Sequence, residues 1–282
     1  MIPQAVARPF LLRDPEHFRI EFEINPWMAT GSQPSPELAR AEWEALGAAL
    51  RGAGGVVHTA PSDPDWPDMV FPTDTAVVSG GRFLRSRFSR PERGGEARLA
   101  AEWLTGNGWQ EIRTATWDAA ARLEGGDVLA FGERLLAGHG MRSTVQAHAG
   151  LAAAFGREVV PVRLVDPRFY HLDMSVCPLD DRRALVFPGA WDGESRRRLL
   201  DLVPEPLVVT EQEALTFCVN SVVIGTSVVM SACPARIGRR LEAWGFEPVV
   251  TPIDQFTKGG GGIRCMTLDL DLLAQGVPAV RP

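Results

Sequence analysis

"KGGGGIRCMTLDL" (258–270) sets four consecutive glycines ahead of Cys265. Glycine admits backbone conformations closed to other residues and leaves room for a ligand to approach, so a cysteine behind such a run reads as a reagent rather than as core filling. A thiol nucleophile needs an acid or base beside it. Candidates stand at turn-like positions. "PDMVFPTDTAVV" carries Asp68 and Asp74 on either side of an apolar run, and "LEGGDVLAF" carries Glu124 and Asp127 around two glycines at a strand entry. "FYHLDMSVC" carries His171 and Asp173 two apart, which in an extended segment faces both to one side. Each has a plainer reading: turn chemistry for the aspartates, an ordinary loop for EGGD, a satisfied core residue for the histidine. Together they say more, because carboxylates gathered about a thiolate are costly unless a cation lies between them. That requirement points to a positively charged substrate. His171, Asp173 and Cys177 lack zinc-site spacing, and no GxGxxG or GxxxxGK[ST] follows a strand. Neither a metal nor an organic cofactor is expected.

Such residues need elements to position them. One arrangement recurs: an amphipathic helix, a Gly or Pro break, then a short β-branched strand. It runs over 36–60, 95–115, 142–165, 193–210 and 234–252. Between these units lie hairpin signals in "TAVVSGGRFLRS", "DVLAFGERLLAG", "CPLDDRRALVFPG" and "SVVIGTSVVMS". A fifth hairpin would have to join the N-terminal "FRIEFEI" to the C-terminal "RCMTLDL". The pattern implies a ring of five ββαβ-like units closed by the chain termini, with a cavity where the units meet. An ordinary α/β sheet with helices on both faces is the alternative.

The chain has 282 residues, a net charge of −6 and no long basic run, which argues against a nucleic-acid partner. "SRRRLL" reads as the solvated face of a helix. No apolar stretch of signal-peptide or membrane-spanning length occurs, so a cytosolic location with its four cysteines reduced is expected.

Asp68 and Asp74, then "RPERGGE", "LEGGDVL", "MRS", "HLD" and the Gly-rich C-terminal cysteine follow an order that resembles the guanidino-group modifying enzymes of the pentein superfamily. These include dimethylarginine dimethylaminohydrolase, arginine deiminase, arginine dihydrolase and the amidinotransferases. The resemblance runs from "FEINPWM" to "RCMTL" and implies an α/β fold, a five-bladed αβ propeller forming one catalytic domain over 1–282. By that resemblance Cys265 is the nucleophile, His171 the acid and base, and Glu124 the carboxylate that orients histidine and guanidinium. Asp74 is a second guanidinium ligand. Arg93 and Arg142 clamp the substrate carboxylate, Asp68 binds its α-amino group, and Asn25 belongs to a loop that borders the pocket. Taken without the resemblance, Arg93 and Arg142 read as solvated surface residues.

The implied chemistry is thiolate attack on a protonated guanidinium, departure of an amine protonated by His171, and hydrolysis of the thiouronium intermediate. Asp173 favours an unmethylated guanidine, since its acceptor would be left unpaired against two methyl groups. Arginine deiminases and amidinotransferases are similar at this position. Asp74 stands where similar arginine dihydrolases have asparagine, and Thr73 departs from the acidic residue common there in dimethylarginine hydrolases. The expectation is an amidine hydrolase acting on arginine or an Nω-methylated arginine, giving citrulline plus ammonia or a methylated amine. An amidinotransferase and a non-catalytic guanidine-binding domain are the alternatives. The expected partner is a small guanidino substrate, with no nucleic acid and no membrane; a homo-oligomer is compatible with the sequence. The glycines before Cys265 are expected to let the backbone pass close to the bound guanidinium.

Overall fold

The computed structural model describes residues 8–274 and arranges them in five three-stranded sheets. Four sheets follow one plan, in which an antiparallel hairpin is followed by a helix and a third strand lying parallel to the second. These are β3 (Ala76–Ser79), β4 (Arg82–Arg85), α2 (Glu96–Gly106) and β5 (Gln110–Glu111); then β6 (Val128–Phe131), β7 (Arg134–His139), α3 (His148–Phe155) and β8 (Glu158–Arg163). They continue with β9 (Val176–Pro178), β10 (Arg183–Val186), α4 (Gly193–Leu202) and β11 (Glu205–Val208). After the short α5 (Glu211–Ala214) come β12 (Val222–Ile224), β13 (Ser227–Met230), α6 (Ala235–Ala243) and β14 (Glu247–Val250). The remaining sheet closes the ring. In it β1 (Pro9–Arg13) pairs antiparallel with β15 (Leu268–Asp269) and parallel with β2 (Val56–Ala60), reached through α1 (Pro36–Gly52).

The local chemistry explains these elements. Gly80 and Gly81 both take positive φ (58° and 72°), which the β3–β4 turn needs to match strand twist. Ser35 and Asp192 cap α1 and α4 by accepting backbone N–H groups, and Thr210 with Glu213 forms a capping box on α5. "SRRRLL" lies in α4 with Arg196 and Arg197 exposed and Leu199 buried, as a solvated helix face requires. Apolar faces of sheets and helices meet in contiguous clusters, the largest around Trp191, Phe169, Leu185 and Val228.

The closing sheet corrects one expectation. Its N-terminal strand is "PFLLR", not "FRIEFEI". The middle strand of a sheet covered on both faces reads as a continuous apolar run, and Phe10, Leu11 and Leu12 are all buried. In the 18–24 segment the backbone of Ile20 bonds the Gln33 amide, N–H to Oε1 at 3.0 Å and C=O from Nε2 at 2.8 Å, so no strand partner is required. Phe18 stacks on Phe256 of α7 (Asp254–Thr257), centroids 5.1 Å apart. Residues 1–7 of the N-terminal stretch read for a signal sequence lie outside the described residues. No helix among the described residues is long and apolar enough to cross a membrane.

Candidate active site

Five units deliver side chains to one place, each from the segment just before the first strand of its hairpin. Asp68 and Asp74 sit in tight turns, Pro67–Val70 and Pro72–Thr75, ahead of β3; Glu124 and Asp127 precede β6; His171 and Asp173 precede β9; Asn220 precedes β12; Cys265 precedes β15. All eight are almost wholly buried.

Two glycines make the approach at β6 feasible. A Cβ on Gly125 would stand 2.1 Å from the Thr73 carbonyl oxygen, and one on Gly126 would stand 2.6 Å from Asp74 Oδ1 and 2.9 Å from His171 Nδ1. Glu124 is thereby held against His171, Oε2 to Nε2 at 2.9 Å, while its Oε1 accepts from the Ser89 N–H and hydroxyl, both at 2.9 Å. The histidine lies between carboxylates, with Nδ1 3.3 Å from Asp74 Oδ1. Burial opposes a charged imidazole, but Asp74, Glu124 and Asp127 outweigh it and push His171 up to about 9. Burial likewise opposes the Glu124 carboxylate, and the bond to His171 with the charge of Arg142 holds it well below its usual range.

His171 and Asp173 do not lie in an extended segment. Leu172–Met174 is a tight 3₁₀ turn whose Leu172 N–H is taken by Asp127 Oδ1 at 3.1 Å, and the turn sends the two side chains to different partners. His171 meets Glu124 and Asp74; Asp173 meets Cys265, its carboxylate 3.8 Å from Sγ. Burial pushes Asp173 up to about 7. Burial, with the charges of Asp173 and Asp74, raises the Cys265 thiol well above its ordinary value.

Arg93 and Arg142 are not surface residues; each is 3% exposed. Arg93 donates to Asp74 Oδ2 at 2.5 Å and to both oxygens of Glu96, at 2.9 and 2.7 Å, and lies 4.0 Å from Asp68. Arg142 donates to Glu124 at 3.3 Å and to the Ile24 carbonyl at 3.1 Å, its guanidinium 4.5 Å from the Tyr170 ring centre. Burial so disfavours the charge of Glu96 that its carboxyl rises to about 8 despite Arg93. Among the described residues no hydrogen bond reaches Oδ1 of Asp68, while Oδ1 of Asp74 faces His171 Nδ1 at 3.3 Å.

Asn25 does not join this cluster. Its Oδ1 accepts the Trp27 N–H at 2.9 Å and its Nδ2 donates to the Gly259 carbonyl at 3.1 Å, bracing the glycine strap. The strap is buried rather than displayed, and Cys265 is 2% exposed. Its glycines are explained by protein neighbours: a Cβ on Gly261 would overlap the Phe71 ring at 2.1 Å, and one on Gly262 would meet Asn220 Oδ1 at 2.4 Å. Thr73 also faces the strap, its hydroxyl 2.6 and 2.7 Å from the carbonyls of Arg264 and Thr267.

Sequence reasoning missed Glu96 and Asn220. A glutamate at the first position of a helix reads as a dipole partner, and nothing local says that it faces inward. Asn220 had a findable signal, because it holds the place before β12 that Asp74, Glu124 and Asp173 hold before their own strands. Of the other cysteines, Cys177 contacts the Ser221 carbonyl at 3.7 Å and Cys218 the Glu213 carbonyl at 3.2 Å; burial pushes both up to about 12. Among the described residues no group of three or more His, Cys, Asp or Glu is arranged to hold a metal ion.

A ring of five repeated three-stranded units that gathers a buried thiol, a histidine–carboxylate pair and more carboxylates than arginines is suited to breaking a C–N bond of a cationic amidine. The family model for N,N dimethylarginine dimethylhydrolase, eukaryotic, matches residues 15–272, and the chain belongs to the dimethylarginine dimethylaminohydrolase family. It is 35% identical over 264 residues to the N(G),N(G)-dimethylarginine dimethylaminohydrolase of Mycobacterium tuberculosis, covering 94% of this chain and 86% of that one. It is 34% identical over 267 residues to the bifunctional arginine dihydrolase/ornithine cyclodeaminase AgrE of a Nostoc species, covering 92% of this chain and 37% of that longer protein. Among solved structures, the substrate-bound N-terminal domain of ArgZ, a cyanobacterial arginine dihydrolase, superimposes with a TM-score of 0.89 at 32% identity, covering 94% of this chain and 98% of that one.

Proposed function

We propose that the chain, residues 1–282, acts as one catalytic unit that hydrolyses the guanidinium of arginine or an Nω-methylated arginine to citrulline through a thiouronium on Cys265. The observation that carries this reading is the Cys265 thiol, 3.8 Å from Asp173, inside a buried cluster whose carboxylates outnumber its cations and in which Asp68 Oδ1 accepts no hydrogen bond from the described residues. Buried acceptors of this kind call for a cationic N–H donor. A guanidinium supplies both the charge and donors in a fixed planar fork.

In this mechanism a guanidinium held by Asp74 and Asp173 lowers the cost of ionising Cys265, and the thiolate adds to its central carbon. His171, protonated at neutral pH and held by Glu124, gives its proton to the departing nitrogen, and ammonia or a methylated amine leaves as the C–N bond breaks. The neutral imidazole then takes a proton from water, whose oxygen adds to the thiouronium carbon; the C–S bond breaks as the new hydroxyl passes its proton to the departing sulfur, and citrulline is released with the Cys265 thiol restored. Arg142 and Arg93 provide the positive charge for the substrate carboxylate, with Arg93 exchanging part of its protein carboxylate contacts for it. Asp68 receives the α-amino group, and Asn25 acts by bracing the strap.

Asp173 favours arginine over its dimethylated form. Among the described residues only the Cys265 thiol bonds its carboxylate, leaving it open to an incoming N–H, and methyl groups would leave the carboxylate unpaired. Similarity to a dimethylarginine dimethylaminohydrolase favours the methylated substrate instead. Mass spectrometry of products from equal L-arginine and asymmetric dimethylarginine, with glycine present as an alternative amine acceptor, separates these outcomes. Citrulline with ammonia is the expected result; citrulline with dimethylamine would reverse the preference, and a new guanidino compound would overturn hydrolysis.

A further inference from the structure

Asn220 is wholly buried and its side chain touches the reacting atom: Nδ2 lies 3.2 Å from Cys265 Sγ. Which end of the amide faces the sulfur is fixed by the other end, since Oδ1 accepts the backbone N–H groups of Arg264 at 2.9 Å and Cys265 at 3.2 Å. Reversing the amide would set an N–H₂ against two N–H donors, so an N–H must point at sulfur. The surroundings are built around this contact. Gly262 lacks the Cβ that would lie 2.4 Å from Oδ1. The Asn220 N–H is taken by the Phe217 carbonyl at 3.0 Å, and Phe217 is the only non-glycine among the described residues with positive φ, at 59°. Such backbone strain persists where the surroundings over-determine it, here through the Phe217 ring against Trp27, centroids 4.6 Å apart.

Asn220 and Asp173 act on the sulfur in opposite senses. A carboxylate accepts from the thiol and repels the thiolate, whereas an amide N–H donates to sulfur and interacts more strongly with the anion. We propose that Asn220 is the neutral donor that holds and aims Cys265 as a thiolate, and is the contribution of the β12 unit to the active site. It adds no charge to a pocket that must admit a cation, which a lysine or arginine in its place would repel. The inference rests on Cys265 being the nucleophile.

The test follows alkylation of Cys265 by iodoacetamide against pH, read by peptide mass spectrometry on the full chain, together with arginine turnover. Asn220→Ala removes the donor. Asn220→Asp keeps the shape and both backbone acceptor contacts but turns an oxygen toward sulfur, so it carries the test should the alanine variant fail to fold. Both variants are expected to move the alkylation profile to higher pH, by about one unit or more, and to lower kcat about 10- to 100-fold, near the lower range for loss of one charge-stabilising donor. For Asn220→Ala, which leaves the charge of the pocket unchanged, KM is expected to change little. Folded variants with unshifted profiles and wild-type kcat would overturn the proposal. Cys265→Ala separates the two claims: if it still turns over arginine, the nucleophile assignment fails; if it is inactive while Asn220→Asp behaves as wild type, only the role of Asn220 fails.

Discussion

His171 and Glu124 show how burial changes meaning with company. An isolated buried imidazole is pushed toward neutrality, yet three carboxylates around His171 hold it charged at neutral pH and give it the proton the leaving amine requires. Glu124→Gln keeps the volume and removes the charge facing Nε2. The expected outcome is a fall in kcat/KM of about 10²- to 10³-fold, within the range for loss of acid–base function, with the alkaline limb of the pH profile moved to lower pH as His171 loses its proton earlier. An unmoved limb would separate Glu124 from the proton transfer. At this scale the sequence was informative about residue type and silent about depth. Cys265, His171, Glu124, Asp74 and Asp173 could be chosen because a thiol, a histidine and carboxylates at strand entries have a shared chemistry. Arg93 and Arg142 read as solvated because an arginine is buried only where tertiary partners await it, and Glu96 comes from a helix start that gives no sign of facing inward.

Turn geometry carries the site between elements. The hairpins and helices were legible because glycine-containing turns and apolar periodicity are local signals, and the five helix–strand units lie where the pattern places them. "FRIEFEI" misled because alternation describes an edge strand equally well whether a neighbouring strand or the Gln33 amide satisfies its backbone. The adjacent glycines of EGGD offer a contrast that separates fold from function. Alanine at Gly125 meets the backbone carbonyls of Thr73 and Ala76, at 2.1 and 2.7 Å, which cannot rotate away. At Gly126 it meets the side chains of Asp74 and His171. Gly125→Ala is therefore expected to lower stability by about 1–3 kcal/mol, and Gly126→Ala to cost more in kcat than in stability. Denaturant unfolding and turnover measured on the two variants check this, and equal losses of both kinds would contradict it. For the strap the same logic moves the role of Gly261 and Gly262 from ligand approach to contact with Phe71 and Asn220.

Six carboxyl groups, Asp68, Asp74, Glu96, Glu124, Asp127 and Asp173, are buried where the five units meet, and that concentration has a consequence for stability. His171 is raised from 6.5 to about 9, so its favourable contribution is present below pH 6.5 and is lost as pH rises through 9. Asp173, raised from 3.8 to about 7, and Glu96, raised from 4.5 to about 8, hold protons in the folded state that the unfolded chain has released, so they too make stability fall as pH rises across those windows. Glu124 has the opposite sign, and its contribution is lost only on acidification below 4.5. Thermal unfolding is thus expected at a higher temperature at pH 6 than at pH 9, and a guanidinium ligand should recover part of the loss. A higher unfolding temperature at pH 9 would contradict the charge arrangement.

The claim on which the account turns is that Cys265 forms a covalent bond to the guanidinium carbon. Acid-quenched wild-type protein and Cys265→Ala, sampled during arginine turnover, would be compared by intact mass and peptide mapping. The predicted result is an adduct of arginine less ammonia on the Cys265 peptide of the wild type, with neither adduct nor citrulline from the variant. Citrulline released by Cys265→Ala at a rate near that of the wild type would contradict it.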